Sequence, residues 1–160
     1  MTQRGPVVCA TDLSTTGAEA VELGARVASA TGRQLHVVHV TGVGPEIFEG
    51  EPISEADRVY RERLEERLEA AEKGLEKACA TAAALGPKAQ SVLLRGRPWE
   101  ALVDYAQRCQ ASLLCVGSHG HGGARKAQRR EVTEWILGST ADRVLRPAPC
   151  PVLVGARREV

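Results

Sequence analysis

Short apolar runs alternate with amphipathic helical segments along the chain, and this alternation restricts the fold more than any other feature. The second run (LHVVHV) is almost continuously apolar, as expected of a parallel strand that is covered on both faces. Strands that alternate with helices predict a parallel sheet with right-handed crossovers and helices on both faces. The five predicted strands lie at residues 6–11, 35–40, 90–95, 113–117 and 151–154.

The helical segments carry recognisable start and stop signals. Residues 16–30 have an amphipathic pattern that Gly32 ends, and Ser54 with Asp57 three residues later predicts the start of a long helix that Gly86 ends. The long helix has an alanine-rich apolar stripe, which favours a helix laid on a sheet over a coiled coil. Two shorter helices are predicted at residues 98–109 and 139–145.

Length and composition restrict the class of protein. We expect residues 1–160 to form one domain, with a frayed polar tail at residues 155–160. A hydrophobic content of 43% and a charged content of 26% are ordinary for a soluble globular protein. The net charge of +1 and the aromatic content of 3% argue against nucleic-acid binding, which uses basic surfaces and stacking rings.

The lack of targeting signals in the sequence and its cysteine usage favour a cytoplasmic location. The first ten residues lack the apolar region of a signal peptide, and no run approaches the ~20 apolar residues of a membrane span. The five cysteines show no CxxC spacing, and three of them lie in or beside apolar runs. We interpret them as small buried hydrophobic residues in a reducing compartment, with a redox or metal role as the alternative.

Two glycine turns give the strongest indication of a ligand. Gly117 and Gly120 follow an apolar strand directly, and glycines at positive φ let backbone N–H groups form an anion-binding concavity. Gly138 and Ser139 begin a helix, whose free N–H groups and dipole attract the same anion. A glycine-rich loop alone is more often a tight turn, but the pairing of two such turns favours a phosphate site. The sequence GxxxxGK[ST] is absent, which excludes a P-loop.

The predicted topology points to the same region independently. In open α/β sheets, ligands bind beyond the carboxyl ends of the strands, at the point where the winding direction reverses. The loops that begin there are the ones at Thr11–Asp12, Val40–Thr41 and Gly117–Ser118.

These residues resemble the universal stress protein family. Nucleotide-binding members of that family carry a glycine, two residues, a glycine, nine residues and then Gly-Ser or Gly-Thr after the fourth strand. Gly117, Gly120, Gly138 and Ser139 match this pattern, except that 17 residues separate the second and third glycines. The opening VVCATDLSTTG and the closing GSTADRVLRPAPCPVLV are also similar to the family's first and last elements.

The resemblance covers essentially the whole chain and carries expectations about fold and ligand. It implies a three-layer sandwich of the adenine nucleotide alpha hydrolase type, with a doubly wound parallel sheet of strand order 3-2-1-4-5. It also implies that the ligand is ATP or a related adenine nucleotide, accompanied by a divalent cation such as Mg²⁺.

The family's binding residues can be carried over to matching positions. Asp12 would contact the adenosine portion, although a role as a turn residue is nearly as well supported for it. Val40 would offer backbone contacts near the adenine, and the second glycine turn would meet the phosphates. The implied nucleotide-binding residues are Thr11, Asp12, Val40, Val116, Gly117, His119, Gly120, Gly138, Ser139 and Thr140.

The segment between the glycine turns is eight residues longer than the family pattern. It either folds over the phosphates as a basic lid or forms a solvated loop or short helix that packs its apolar residues inward. Loop closure costs little extra entropy, so the added length does not by itself keep the two turns apart. The basic residues of the possible lid are Arg125, Lys126, Arg129 and Arg130.

Catalysis has little support in the sequence. Ser118 and His119 are adjacent, but a nucleophilic serine needs a base within reach and an acid that orients the base. His119 and His121 are spaced for a metal, but no third ligand is evident. Enzymatic activity stays undecided on this basis, with slow ATP hydrolysis as the most that we expect.

The last strand also carries an expectation about assembly. Residues 151–154, from Pro151 to Val154, should lie at a sheet edge, where an apolar strand invites pairing with a second copy. The resemblance implies a two-fold homodimer through this strand. The leading hypothesis is a cytoplasmic, ATP-binding, dimeric signalling module of the stress response, with no nucleic-acid or membrane partner. The alternative is a member of the family that binds no nucleotide and acts as a dimeric regulator through protein contacts.

Overall fold

The computed structural model describes residues 5–42, 49–118 and 137–155, apart from the side chains of residues 15 and 16. In chain order, the described residues form β1 (Val7–Ala10), α1 (Thr15–Thr31), β2 (Leu35–Thr41), α2 (Glu55–Ala83), β3 (Ala89–Arg95), α3 (Pro98–Arg108), β4 (Leu113–Gly117), α4 (Ser139–Val144) and β5 (Val152–Gly155). None of the helices in these ranges is long and apolar enough to cross a bilayer.

The strands form one sheet in the order β3-β2-β1-β4-β5, and every pairing in it is parallel. The predicted five-stranded, doubly wound parallel sheet with order 3-2-1-4-5 is therefore confirmed. The chain winds from β1 outward through β2 to β3, and then returns to the other side of β1 for β4 and β5. The winding direction thus reverses between β1 and β4.

Helices cover both faces of the sheet because side chains of the buried strands alternate between the two faces. On one face, Val7 and Val37 pack with α1 and α2, and Leu75 of α2 belongs to the same buried cluster. On the other face, Val8 packs with α3 and α4, where Leu102 is buried. The long helix α2 is therefore laid on the sheet, as its alanine-rich stripe predicts.

The residues predicted to begin and end the helices do so in the structure, with one difference at Asp57. The Ser54 hydroxyl accepts from the N–H of Asp57 at 3.1 Å and caps α2. The Asp57 carboxylate, however, accepts from the N–H of Ile53 at 3.1 Å rather than from that of Ser54, so the pair is not a complete capping box. Gly32 ends α1 in the left-handed conformation, with φ of 64°.

The end of the sheet requires a correction. The last strand runs over Val152–Gly155 rather than residues 151–154, and Gly155 does not belong to a frayed tail. Gly155 lies opposite Gly117 in the ladder, and its carbonyl accepts from the N–H of Ser118 at 2.8 Å. Residues 156–160 lie outside the described residues. The other predicted strand boundaries differ from the observed ones by at most one residue.

Helix α1 lies very close to the centre of the sheet at Gly24. A Cβ atom on Gly24 would lie 2.1 Å from Sγ of Cys9 and 3.4 Å from Sγ of Cys115. The Cys9 thiol also donates to the carbonyl of Ala20 in α1 at 3.2 Å. Its hydrogen bond with the Cys115 thiol, together with burial, raises the pKa of Cys9 well above the usual value. The Cys9 thiol stays protonated, and both cysteines act as small buried core residues beneath a helix glycine.

This contact predicts a specific instability. The substitution Gly24→Ala should lower the free energy of unfolding by about 2 kcal/mol, because the new methyl group overlaps the Cys9 sulfur. In the double variant Cys9→Ala with Gly24→Ala, the nearest remaining contacts are ordinary in length, so most of the loss should be recovered relative to Cys9→Ala alone. Urea denaturation followed by circular dichroism measures both effects.

Gly42→Ala is the matched control, because a Cβ atom there meets nothing within 4 Å. It should change the free energy of unfolding by less than about 0.5 kcal/mol, as is usual for surface substitutions. Equal stability of the Gly24→Ala and Gly42→Ala variants would contradict the close packing of α1 on β1.

Candidate functional site

The described parts of the two glycine turns, Gly117–Ser118 and Gly138–Ser139, lie beside each other at one end of the sheet. The N–H of Gly138 donates to the carbonyl of Ser118 at 2.7 Å, and Ser118 directly follows β4. The same Gly138 offers its carbonyl to Asp142 at 2.9 Å, which is the first hydrogen bond of α4. Gly138 has no side chain with which to cap α4, so its first N–H groups gain no acceptor from the N-cap residue. The start of α4 therefore lies beside the carboxyl end of β4.

The loop after β1 lies next to the carboxyl end of β4, because β1 and β4 are paired neighbours. Thr11 is 6% exposed and Ser118 is 4% exposed, so the two residues that follow these strands are both buried. The N–H of Thr11 continues the sheet by donating to the carbonyl of Val38 at 2.8 Å. These two loops lie where the winding direction reverses, which is the usual ligand position in open α/β sheets.

Asp12 acts as a turn residue in this structure. Its carboxylate accepts from the N–H of Ser14 at 3.0 Å and also from the Ser14 hydroxyl. Ser14, rather than Asp12, is the N-cap of α1, because its hydroxyl accepts from the N–H of Gly17 at 3.2 Å. The turn role considered for Asp12 from the sequence is thus present, and it holds the carboxyl group against the start of α1.

The backbone between these residues adopts a rare conformation. Leu13 has φ of 65°, in the left-handed region that disfavours side chains other than glycine. Its N–H donates to Oγ1 of Thr11 at 3.0 Å, and its side chain lies over α2 at Gly74, where an added Cβ atom would be 3.2 Å from Cδ1 of Leu13. Gly17 permits the close approach of α1, since a Cβ atom there would lie 2.6 Å from Oγ1 of Thr11. Strained loops that are held by several contacts are frequent at functional sites.

His39 of β2 holds the same loop from the neighbouring strand. Its Nδ1 lies 2.8 Å from the carbonyl oxygen of Thr11. A carbonyl oxygen can only accept, so Nδ1 carries the hydrogen and donates it. Nothing in the local sequence pattern distinguishes His39 from an ordinary strand-face residue. Its role depends on the parallel pairing of β1 with β2.

Helix α3 packs against β2. Nδ1 of His36 and the hydroxyl of Tyr105 are 2.9 Å apart, and this contact holds the helix on the strand. Burial lowers the pKa of His36 and raises the pKa of Tyr105, so both groups are neutral near pH 7. Val40, four residues further along β2, is half-buried and packs with the apolar cluster on this face.

The predicted binding residues within the described ranges lie at one end of the sheet. They follow or end β1, β2 and β4, or they begin α4. Val116 is 2% exposed and packs in the core, so only its backbone could face a ligand. The described members of the predicted set are Thr11, Asp12, Val40, Val116, Gly117, Gly138, Ser139 and Thr140. The others, which are His119, Gly120 and the possible lid residues Arg125, Lys126, Arg129 and Arg130, lie outside the described residues.

A cavity of about 520 Å³ lies at the opposite end of the sheet. It is lined by residues that precede β1 and β5, among them Pro6 and Pro149, and by Gln107 and Gln110 near the end of α3. None of the described residues that line it is charged, so these residues offer a phosphate no counter-charge. Within residues 5–42, 49–118 and 137–155, no group of three or more His, Cys, Asp or Glu side chains is arranged to hold a metal ion.

Comparisons with known proteins agree with this architecture. The family model of the universal stress protein family matches residues 3–155. A universal stress protein of Thermus aquaticus, named for its position in the 3′ region of QAH/OAS sulfhydrylase, is 36% identical over 127 residues, which cover 79% of this chain and 80% of the relative.

Two solved structures share the fold over almost their full lengths. One is a universal stress protein in complex with cAMP, with a TM-score of 0.67 and 24% identity over 95% of this chain and 97% of that one. The other is the universal stress protein of Archaeoglobus fulgidus in complex with dAMP, with a TM-score of 0.64 and 22% identity over 95% and 98% of the two chains. The family model and the Thermus aquaticus relative together show that this chain belongs to the universal stress protein family.

Proposed function

We propose that the chain binds an adenine nucleotide, with ATP as the expected ligand, in the crevice between the carboxyl ends of β1 and β4. The observation that carries this proposal is the 2.7 Å hydrogen bond from the N–H of Gly138 to the carbonyl of Ser118. It places the start of α4 beside the end of β4, so the donors of two glycine turns can converge on one anion.

The phosphate side of the proposed site offers hydroxyl and backbone donors. Ser139 is exposed and Thr140 is half-buried at the start of α4, where both hydroxyls and the first N–H groups can donate to phosphate oxygens. A divalent cation such as Mg²⁺ would be held mainly by the phosphates themselves, as is usual for nucleotide sites. The basic residues of the longer segment would add charge pairing if that segment acts as a lid.

The adenosine side is built by the ends of β1 and β2. Asp12 offers a carboxylate at the mouth of the crevice, and Val40 offers backbone groups beside an apolar surface. Supporting evidence comes from the relatives, because one solved universal stress protein is in complex with cAMP and another with dAMP. Both ligands contain adenine, which supports adenine recognition by the shared fold.

We further propose that the protein is a cytoplasmic signalling module of the stress response and that it dimerises through β5. This strand lies at the sheet edge, and all four of its residues are half-buried. The other edge strand, β3, exposes Gln90, Ser91 and Arg95, so β5 is the more apolar of the two edges. Two copies of β5 related by a two-fold axis would extend the sheet.

The 17-residue spacing between Gly120 and Gly138 favours a second candidate function. In that case the protein binds no nucleotide and acts as a dimeric regulator through protein contacts. The hydrogen bonds that already occupy the Asp12 carboxylate fit this alternative as well.

Calorimetric titration with MgATP tests the first candidate. We expect the parent protein to bind with a Kd at or below about 1 mM, which corresponds to ~4 kcal/mol of binding free energy. Ser139→Ala should weaken binding by about 10-fold, because it removes a hydrogen bond to a charged phosphate group. Ser91→Ala, the same substitution at an exposed serine of β3, should leave the affinity unchanged.

A parent protein that is folded by circular dichroism but shows no binding at several millimolar ATP would sink the nucleotide proposal. That result would leave the dimeric regulator as the supported function.

The dimer proposal makes a separate prediction about the backbone of β5. The carbonyls of Pro151 and Gly155 accept from β4 at 3.0 Å and 2.8 Å, so the polar groups of Val152 and Val154 point to the open edge. Val154→Pro should therefore abolish edge pairing while keeping the bonds to β4. Light scattering after gel filtration should report a dimer for the parent and a monomer for this variant.

Val154→Ala is the matched control, because it shortens the same side chain but keeps the N–H, and it should remain dimeric. A monomeric parent, or a Val154→Pro variant that stays dimeric and folded, would rule out assembly through β5.

A further inference from the structure

Within the described ranges, Nε1 of Trp99 is a buried side-chain donor that has no hydrogen-bond acceptor. Buried indole N–H groups normally find a partner, because an unsatisfied buried donor loses its hydration without compensation. Trp99 is the second residue of α3 and follows the carboxyl end of β3. The unsatisfied group therefore lies at the same end of the sheet as the proposed nucleotide site.

The contact between His36 of β2 and Tyr105 of α3 gives a reference point from which the level of Trp99 along β2 can be worked out. Trp99 precedes Tyr105 by six residues, which places it about 9 Å nearer to the carboxyl end of the sheet. Strand β2 advances by about 3.3 Å per residue, so that level lies roughly three residues beyond His36, close to Val38 and Val40. The N–H of Gly96 donates to the carbonyl of Thr41 at 2.9 Å and holds the start of α3 against the end of β2.

Trp99 and Val40 also share one apolar surface. Every second side chain of β2 lies on the same face, so those of His36, Val38 and Val40 share the face that α3 covers. Val40 and Trp99 both pack against the buried cluster of this face. Val40 is the residue at which adenine contacts are proposed. An aromatic side chain with an unused donor thus borders the place where a purine ring would lie.

We propose that Trp99 determines base specificity in the nucleotide site, by donating its indole N–H to an acceptor atom of the bound heteroaromatic base. This inference rests on the proposed function and extends it to a residue outside the glycine turns. Purine ring nitrogens are acceptors of the required kind, and the flat ring suits the apolar surface formed with Val40. A ligand that lacks such an acceptor leaves the donor unsatisfied, which is how buried polar groups discriminate between ligands.

The test compares MgATP with inorganic tripolyphosphate, which carries the phosphates without a base. Trp99→Phe should weaken ATP binding by about 5- to 10-fold and leave the affinity for tripolyphosphate unchanged, because only the base loses a donor. Replacement of the Trp99 indole by its benzothiophene isostere, which keeps the ring shape but lacks the N–H, should have the same effect. The isostere keeps the test valid if Trp99→Phe folds poorly.

Fluorescence gives a readout that a purely structural role would not change. The chain has two tryptophans, so Trp135→Phe leaves Trp99 as the single emitter. ATP should shift the emission of that variant, and tripolyphosphate should not. Tyr60→Phe, an aromatic substitution at an exposed position of α2, is the control and should not change ATP affinity.

Unchanged ATP affinity in both Trp99 variants would overturn the inference, and so would an equal loss of affinity for ATP and tripolyphosphate. A parent protein that binds neither ligand would overturn the proposed function itself, and the inference with it. The two failures are distinguished by whether the parent protein binds ATP.

Discussion

The parallel pairing of β1 with β4 is the constraint on which the rest of the structure depends. Its register places Cys9 opposite Cys115, so the two strands end at the same level and their loops face each other. The pairing is also where the winding direction reverses, which is the position at which open α/β sheets usually bind their ligands. It requires α1 to lie almost in contact with the sheet, which Gly24 makes possible above the two thiols.

Contacts from three elements fix the loop that follows β1. His39 of β2 donates to the carbonyl of Thr11, Ser14 of the α1 cap engages Asp12, and Leu13 reaches Gly74 of α2. These contacts hold Leu13 at positive φ, a conformation that the loop would not keep alone. A preorganised loop loses little entropy when a ligand binds, so the strain is consistent with the proposed site.

The fold could be predicted from the sequence because its determinants are local. Apolar strands, helix caps and the stop at Gly32 each depend on a few neighbouring residues. The strand pairing of Gly155 was missed, because a glycine near the chain end resembles a terminator while its backbone still forms a ladder bond. His39 and Trp99 could not be singled out, since their importance comes from partners on other elements or from the lack of one. The convergence of Gly138 with β4 depends likewise on tertiary contacts.

Hydrogen exchange with and without MgATP tests most directly whether the crevice between β1 and β4 holds the nucleotide. The account predicts slower amide exchange in two separate segments, residues 11–12 and residues 138–140, which only a ligand between the two loops would protect together. Protection confined to the other end of the sheet, around the cavity beside Gln107 and Gln110, would contradict it. So would ATP binding that protects neither loop.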